Sequence, residues 1–136
     1  MRIIQVTGRS NTGKTTFIKK LIPVLNGQGR VAVIKHLGDH DFHLDEEKDT
    51  TGFFRAGAEI SAGIDDHKAV VAIRNNSLDA ILALLKSQGM DYVVIEGFKQ
   101  RAFKKIVIGD LQVEGCILRN PAVEDVVASV DRFDTY

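Results

Sequence analysis

The chain has a single cysteine, Cys116, among its 136 residues. One thiol excludes an intramolecular disulfide and any cysteine-rich zinc site, and it fits a reducing compartment. Prolines are as scarce: Pro23 and Pro121 stand far apart, and no Pro- or Ser-rich linker, internal repeat or low-complexity tract divides the sequence. A single domain over residues 1–136 is therefore expected. An excess of either charge is missing too, because eighteen Lys and Arg balance eighteen Asp and Glu. A neutral chain lacks the global field that gathers nucleic acid or coats an anionic membrane, so neither is an expected partner. Long apolar runs are also absent. Stretches such as Ala80 to Leu85 are too short to cross a bilayer, and no signal-type segment opens the chain, which leads to the expectation of a cytoplasmic protein.

What is present has an ordinary globular balance, 44% apolar and 26% charged, rather than the signature of disorder. Short apolar runs at Ile3 to Val6, Val31 to Ile34, Ala69 to Ile73, Tyr92 to Ile95 and Ile106 to Ile108 read as buried strands. Helical spacing recurs between them, with Phe17, Ile18, Leu21, Ile22 and Leu25 over Lys14 to Leu25, and Leu78, Ile81, Leu82 and Leu85 over Leu78 to Lys86. Segments Gly27 to Gly29 and Ser87 to Gly89 end these helices, since glycine tolerates the left-handed terminal conformation. The alternation predicts βαβ units in an α/β layer fold around a mostly parallel sheet. Leu37 to Lys48, rich in Asp, Glu and His, breaks the rhythm and reads as a loop.

Gly8-Arg9-Ser10-Asn11-Thr12-Gly13-Lys14-Thr15 fits the G-x-x-x-x-G-K-[ST] phosphate loop and sits after a strand and at the opening of a helix, as that loop requires. Gly8 and Gly13 let the backbone turn tightly, so that N–H groups of the loop, Asn11 and Thr12 included, face inward at the positive end of a helix dipole. Lys14 is expected to reach the β and γ phosphates of a triphosphate, Thr15 to place its hydroxyl on Mg²⁺, and Thr16 to add a further donor. Glu96 ends the apolar run Tyr92 to Ile95, at the strand edge where α/β sheets bind ligands. It is the expected second metal ligand or water-orienting acid, although Asp is usual at this place. Gly97 after it permits close approach.

Lys35-His36, His40-Asp41-Phe42, Asp45, Lys48-Asp49-Thr50 and Arg55-Ala56-Gly57-Ala58 resemble the second signature of the molybdopterin-guanine dinucleotide biosynthesis protein B family, and Glu96-Gly97-Phe98-Lys99 resembles its third. With the phosphate loop these signatures cover roughly the first hundred residues in the right order. The resemblance implies a three-layer P-loop fold with a mixed, mostly parallel sheet. It also implies a weak GTPase, often homodimeric, that acts as adaptor to a separate nucleotidyltransferase attaching a GMP moiety to molybdopterin. Glu47 stands where the family usually has Gly, and the chain stops earlier than most members, from which a missing terminal helix is expected.

Around this core several readings stay open. Asp41 and Asp49 match the signature and are candidate metal acids, but a solvated acidic loop accounts for them equally well. His36, His40 and His43 admit a transition-metal site of the nickel-chaperone kind, against which His36 is read as a nucleotide-side residue at a strand end. Lys99, Arg101, Lys104 and Lys105, interleaved with Phe98 and Phe103, form a basic strip. It suits a second phosphate such as that of molybdopterin, an acidic partner, or merely a charged hairpin edge. No Asn/Thr-Lys-x-Asp guanine segment is present; Asn75-Asn76-Ser77-Leu78-Asp79 reads as a turn with a helix cap. Guanine preference thus rests on the resemblance. A small phosphotransferase using Glu96 or Asp41 as base is the remaining alternative.

Overall fold

Strand β1 (Arg2–Gly8) runs through the middle of a sheet ordered β2 (Val31–Lys35), β5 (Tyr92–Glu96), β1, β6 (Lys105–Ile108), β7 (Cys116–Arg119). These five strands are parallel, and a two-residue strand β8 (Asp134–Thr135) adds antiparallel to the start of β1, so the sheet is mixed and mostly parallel as expected. The remaining elements are α1 (Lys14–Asn26), α2 (Asp49–Arg55), β3 (Ile60–Ile64), β4 (Ala69–Ile73), α3 (Leu78–Ser87) and α4 (Val123–Ala128), with a 3₁₀ turn over Val130–Arg132. The computed structural model describes residues 1–38, 40, 43–45 and 47–136. Its contacts group into two compact units, Met1–Gly38 with Leu82–Tyr136, and Asp39–Ile81.

In the first unit, strand alternation sends Ile4, Val6, Val94 and Ile106 to one face, where Ile18, Leu21 and Leu25 of α1 and Val126 of α4 pack on them, all buried. The 3.6-residue spacing of the α1 set is what makes that stripe continuous. Phe17 and Ile22 pack at its edge, half-buried. Ile3, Val93, Ile95 and Val107 on the opposite face are buried as well, which is why these strands read as unbroken apolar runs. Helix α4 was not legible: it has six residues, and the Asp125 carboxylate closes its N-terminus by accepting the Ala122 N–H at 2.9 Å. Of the two expected glycine terminators, Gly89 is left-handed with φ 72°, whereas Gly27 keeps a right-handed φ of −68°, with its N–H on the Val24 carbonyl and the Gln28 and Gly29 N–H groups on the Leu25 carbonyl.

The second unit corrects one strand reading. β4 is not a buried member of the parallel sheet; it pairs antiparallel with β3 in a two-stranded hairpin. Asp65 holds the tight turn, accepting the N–H groups of His67 and Lys68 at 2.8 Å and the Lys68 ammonium at 2.7 Å, a short connection that only an antiparallel pair allows. The run Ala69 to Ile73 has the composition of a covered strand, yet Val70 is 62% exposed. Strand β3 was missed because Ser61, Ala62 and Gly63 dilute its apolar residues. Helix α2 lies against β3 through a hydrogen bond from the Ser61 hydroxyl to the Thr50 carbonyl at 2.7 Å.

Candidate functional site

Where β1 leaves the sheet, Gly8 passes so close to β6 that a Cβ there would collide with the Ile108 carbonyl oxygen; no side chain fits. The loop then turns through positive φ at Asn11 (60°) and Gly13 (89°) and enters α1 at Lys14. Thr12 braces it, donating its hydroxyl to the Arg9 carbonyl at 3.0 Å. Lys14 folds back onto the same carbonyl, within reach of the loop mouth that it would have to serve. Burial is the main cause that pushes the Lys14 ammonium below the ordinary lysine range; neighbouring Lys99 and Lys35 push the same way, and Glu96 opposes them. Those four groups therefore share one electrostatic neighbourhood. Thr15 and Thr16 stand exposed in the first turn of α1.

Glu96 comes to this loop from the neighbouring strand, in register with Val6 of β1 and Lys35 of β2. The Thr15 hydroxyl lies 3.0 Å and 3.2 Å from its two carboxylate oxygens, and the Lys35 ammonium lies 3.7 Å from Oε1. The pairing of Lys35 with Glu96 escaped the sequence reading, although each is the last residue of its strand; adjacency of β2 and β5 is the missing information. A hydroxyl and a carboxylate meeting at the mouth of an anion cradle form an oxygen donor set suited to Mg²⁺, which favours few protein ligands beside the phosphates. The residues present thus fit the metal. Among the described residues no group of three His, Cys, Asp or Glu side chains is placed to hold a metal ion.

The segment after Glu96 is built from beneath. Gly97 has φ 97°, and a Cβ on it would meet His36 Cβ at 2.9 Å, so the third signature needs glycine here. Gln5, buried inside β1, donates its amide to the carbonyls of both Gly97 and Phe98 at 2.7 Å. Phe98, itself at φ 49°, stacks on His36 with ring centroids 4.2 Å apart, and the His36 N–H bonds the Glu96 carbonyl at 2.9 Å. His36 is thus at the strand end, on the phosphate-loop side. Polar Gln5 within an apolar strand is the sequence signal for this support.

The basic strip holds only in part. Lys99 and Lys104 are exposed and Arg101 lies over the Phe103 ring at 5.3 Å, but Lys105 is 3% exposed. As the register partner of Gln5 it points into the same buried face and donates to the carbonyls of Arg101 at 2.8 Å and Lys99 at 3.4 Å. Desolvation there pushes its ammonium below the ordinary range, with Glu114 opposing. Asp49 opens α2 in the second unit, and Asp41 lies outside the described residues. Ser77 does act as the expected cap, its hydroxyl accepting the Ala80 N–H at 3.4 Å, and Asn75 closes the turn before it.

Comparison with known proteins agrees with this architecture. The family model described as molybdopterin guanine dinucleotide synthesis protein B matches residues 3–131. The chain belongs to this family, MobB. It is 37% identical over 109 residues to a putative molybdopterin-guanine dinucleotide biosynthesis adapter protein of Methanocaldococcus jannaschii, covering 79% of this chain and 45% of the relative. A probable adapter protein of the same biosynthesis from Bacillus subtilis is 35% identical over 113 residues, covering 78% and 64%. The chain therefore spans about half to two-thirds of the length of these MobB relatives. Among solved structures, Bacillus subtilis MobB superposes with a TM-score of 0.71 at 24% identity, covering 97% of this chain and 95% of that one, a likeness of fold. A MobB homologue from Bacillus stearothermophilus gives 0.59 at 26% identity, covering 100% and 74%. No helix among the described residues is long and apolar enough to cross a membrane.

Proposed function

We propose that the protein binds GTP with Mg²⁺ at the Gly8–Thr15 loop, hydrolyses it slowly, and serves as a homodimeric adaptor to the nucleotidyltransferase that completes molybdopterin guanine dinucleotide. The observation that carries the nucleotide part is the meeting of Thr15 with Glu96 at the mouth of the glycine cradle. Loop N–H groups and the α1 N-terminus bind the phosphate oxygens. Lys14 exchanges the Arg9 carbonyl for phosphate, a charge-assisted contact. Thr15 and Glu96 would hold Mg²⁺, which when bound supplies charge neutralisation and polarises the terminal phosphoryl group. Gly97 and Phe98 follow Glu96, so no Gln orients an attacking water, and slow hydrolysis follows.

The name of the relatives, adapter proteins of this biosynthesis, supports the pathway. Self-association draws support from Ile60, Ile64 and Val71, which share one exposed face of the hairpin, since contiguous exposed apolar surface marks interaction sites. Ile64→Asp is expected to shift the sedimenting species from dimer to monomer, and an unchanged species would remove the hairpin from the interface. Binding is tested by titration with GTP, ATP and their slowly hydrolysed analogues, with and without Mg²⁺ at fixed ionic strength. Selective, Mg²⁺-dependent GTP binding is the expected result; equal or tighter ATP binding would sink the guanine reading and favour a small phosphotransferase.

A further inference from the structure

The Thr15–Glu96 pair fixes the direction in which a bound nucleotide runs. It lies on the β5 flank of the phosphate loop, so the terminal phosphate and its metal belong on that flank. The nucleoside end then leaves across the other flank, over the carboxyl ends of β6 and β7, the edge where such sheets take ligands. This direction rests on the GTP reading given above.

That flank is tightly built and presents one acid beside the loop. Gly8 is in register with Ile108, and a Cβ on Gly109 (φ 93°) would meet Thr12 Cγ2 at 3.2 Å, so the end of β6 abuts the phosphate loop directly. Asn120, at φ 46°, clasps Gly109: its Oδ1 accepts the Gly109 N–H at 2.6 Å, and its own N–H bonds the Val107 carbonyl at 2.9 Å. Arg119 donates to the carbonyls of Gly109 and Leu111 at 3.0 Å each. The intervening residue, Asp110, is thus mounted on a backbone held from both sides, while its carboxylate stands 80% exposed. Its Oδ1 lies 3.1 Å from Nε of Arg9, a residue of the phosphate loop itself.

We infer that Asp110 is the residue that reads guanine, in place of the absent Asn/Thr-Lys-x-Asp segment. Guanine offers N1–H and the N2 amino group side by side, two donors that one ionised carboxylate accepts together. Adenine puts an acceptor at N1, which meets the carboxylate lone pair against lone pair, and a polar site rejects such a mismatch strongly. Arg9 holds the carboxylate beside the loop until a base arrives. Replacing the acid by its amide, Asp110→Asn, converts one acceptor to a donor, and the purine complementary to that pattern is xanthine, with N1–H beside a 2-carbonyl.

The experiment measures the affinity of the full chain for GTP, inosine triphosphate, ATP and xanthosine triphosphate in wild type, Asp110→Asn, Arg9→Gln and Lys14→Ala. The wild type is expected to prefer GTP over inosine triphosphate, which lacks the 2-amino group. Asp110→Asn is expected to lose about tenfold or more toward GTP and gain about tenfold or more toward xanthosine triphosphate. Arg9→Gln should weaken all four while keeping their order. A gain toward xanthine cannot arise from a damaged fold. If Asp110→Asn keeps the wild-type order of the four nucleotides while Lys14→Ala weakens them all, the assignment of Asp110 is overturned and the phosphate site stands. If Lys14→Ala leaves every affinity unchanged, the GTP reading itself fails and takes Asp110 with it.

Discussion

Strand β5 lies between β1 and β2 with Val93, Val94 and Ile95 fully buried, whereas β4 has one partner, β3, and leaves Val70 and Val71 exposed. Both strands are five residues long and each carries two valines and an isoleucine. In β5 the apolar side chains are covered within their own unit, so they hold the sheet together and carry Glu96 to the phosphate loop. In β4 the single partner β3 leaves Val70 and Val71 exposed on the two faces of the hairpin. Similar apolar composition thus ends covered in one strand and exposed in the other, and the neighbours decide which.

The comparison breaks first on a core truncation. Ile95→Ala should cost about 2–5 kcal/mol of unfolding free energy, read from denaturant melts; a cost below about 1 kcal/mol would mean that β5 is not covered as described. Next in size is Lys14→Ala, which should weaken nucleotide binding by about 1.5–3 kcal/mol, roughly 10- to 150-fold, with little change in the melt. Affinity within about twofold of wild type would remove Lys14 from the phosphate site.

A smaller effect sharpens the electrostatics. Burial and the neighbouring Lys99 and Lys35 lower the Lys14 pKa in the free protein, and a bound triphosphate raises it again. Binding therefore takes up a proton once the free amine has lost it. Affinity should fall as pH rises through the lowered free-state value, beginning below the range of an ordinary lysine. Titrations across the alkaline range check this, and a flat profile would contradict it. The smallest effect belongs to the hairpin: Ile64, 81% exposed, should tolerate alanine within about 0.5 kcal/mol in melts of the dilute monomer.

The phosphate loop, β1, α1 and β5 were legible because each carries its own signal: fixed glycine spacing, a 3.6-residue stripe, or an unbroken β-branched run. Elements without such a signal were missed. Helix α2 has Gly52 at its centre and no apolar period, and β7 is only four residues long. The misreading of β4 has a different origin, because periodicity reports that a strand is apolar and is silent on its partner. At the site, Lys14, Thr15 and Glu96 were visible as types in order, whereas the Gln5 grip on the Gly97 and Phe98 carbonyls depends on β1 lying between β5 and β6. Asp110 beside Arg9 depends on the same adjacency.

The most direct test of the account is the dependence of GTP affinity on Mg²⁺ in the wild type and in Glu96→Gln. If Thr15 and Glu96 hold the metal, Mg²⁺ should tighten binding by about tenfold or more in the wild type and by less than about twofold in the variant. An equal gain in both would place the metal elsewhere and contradict the central claim.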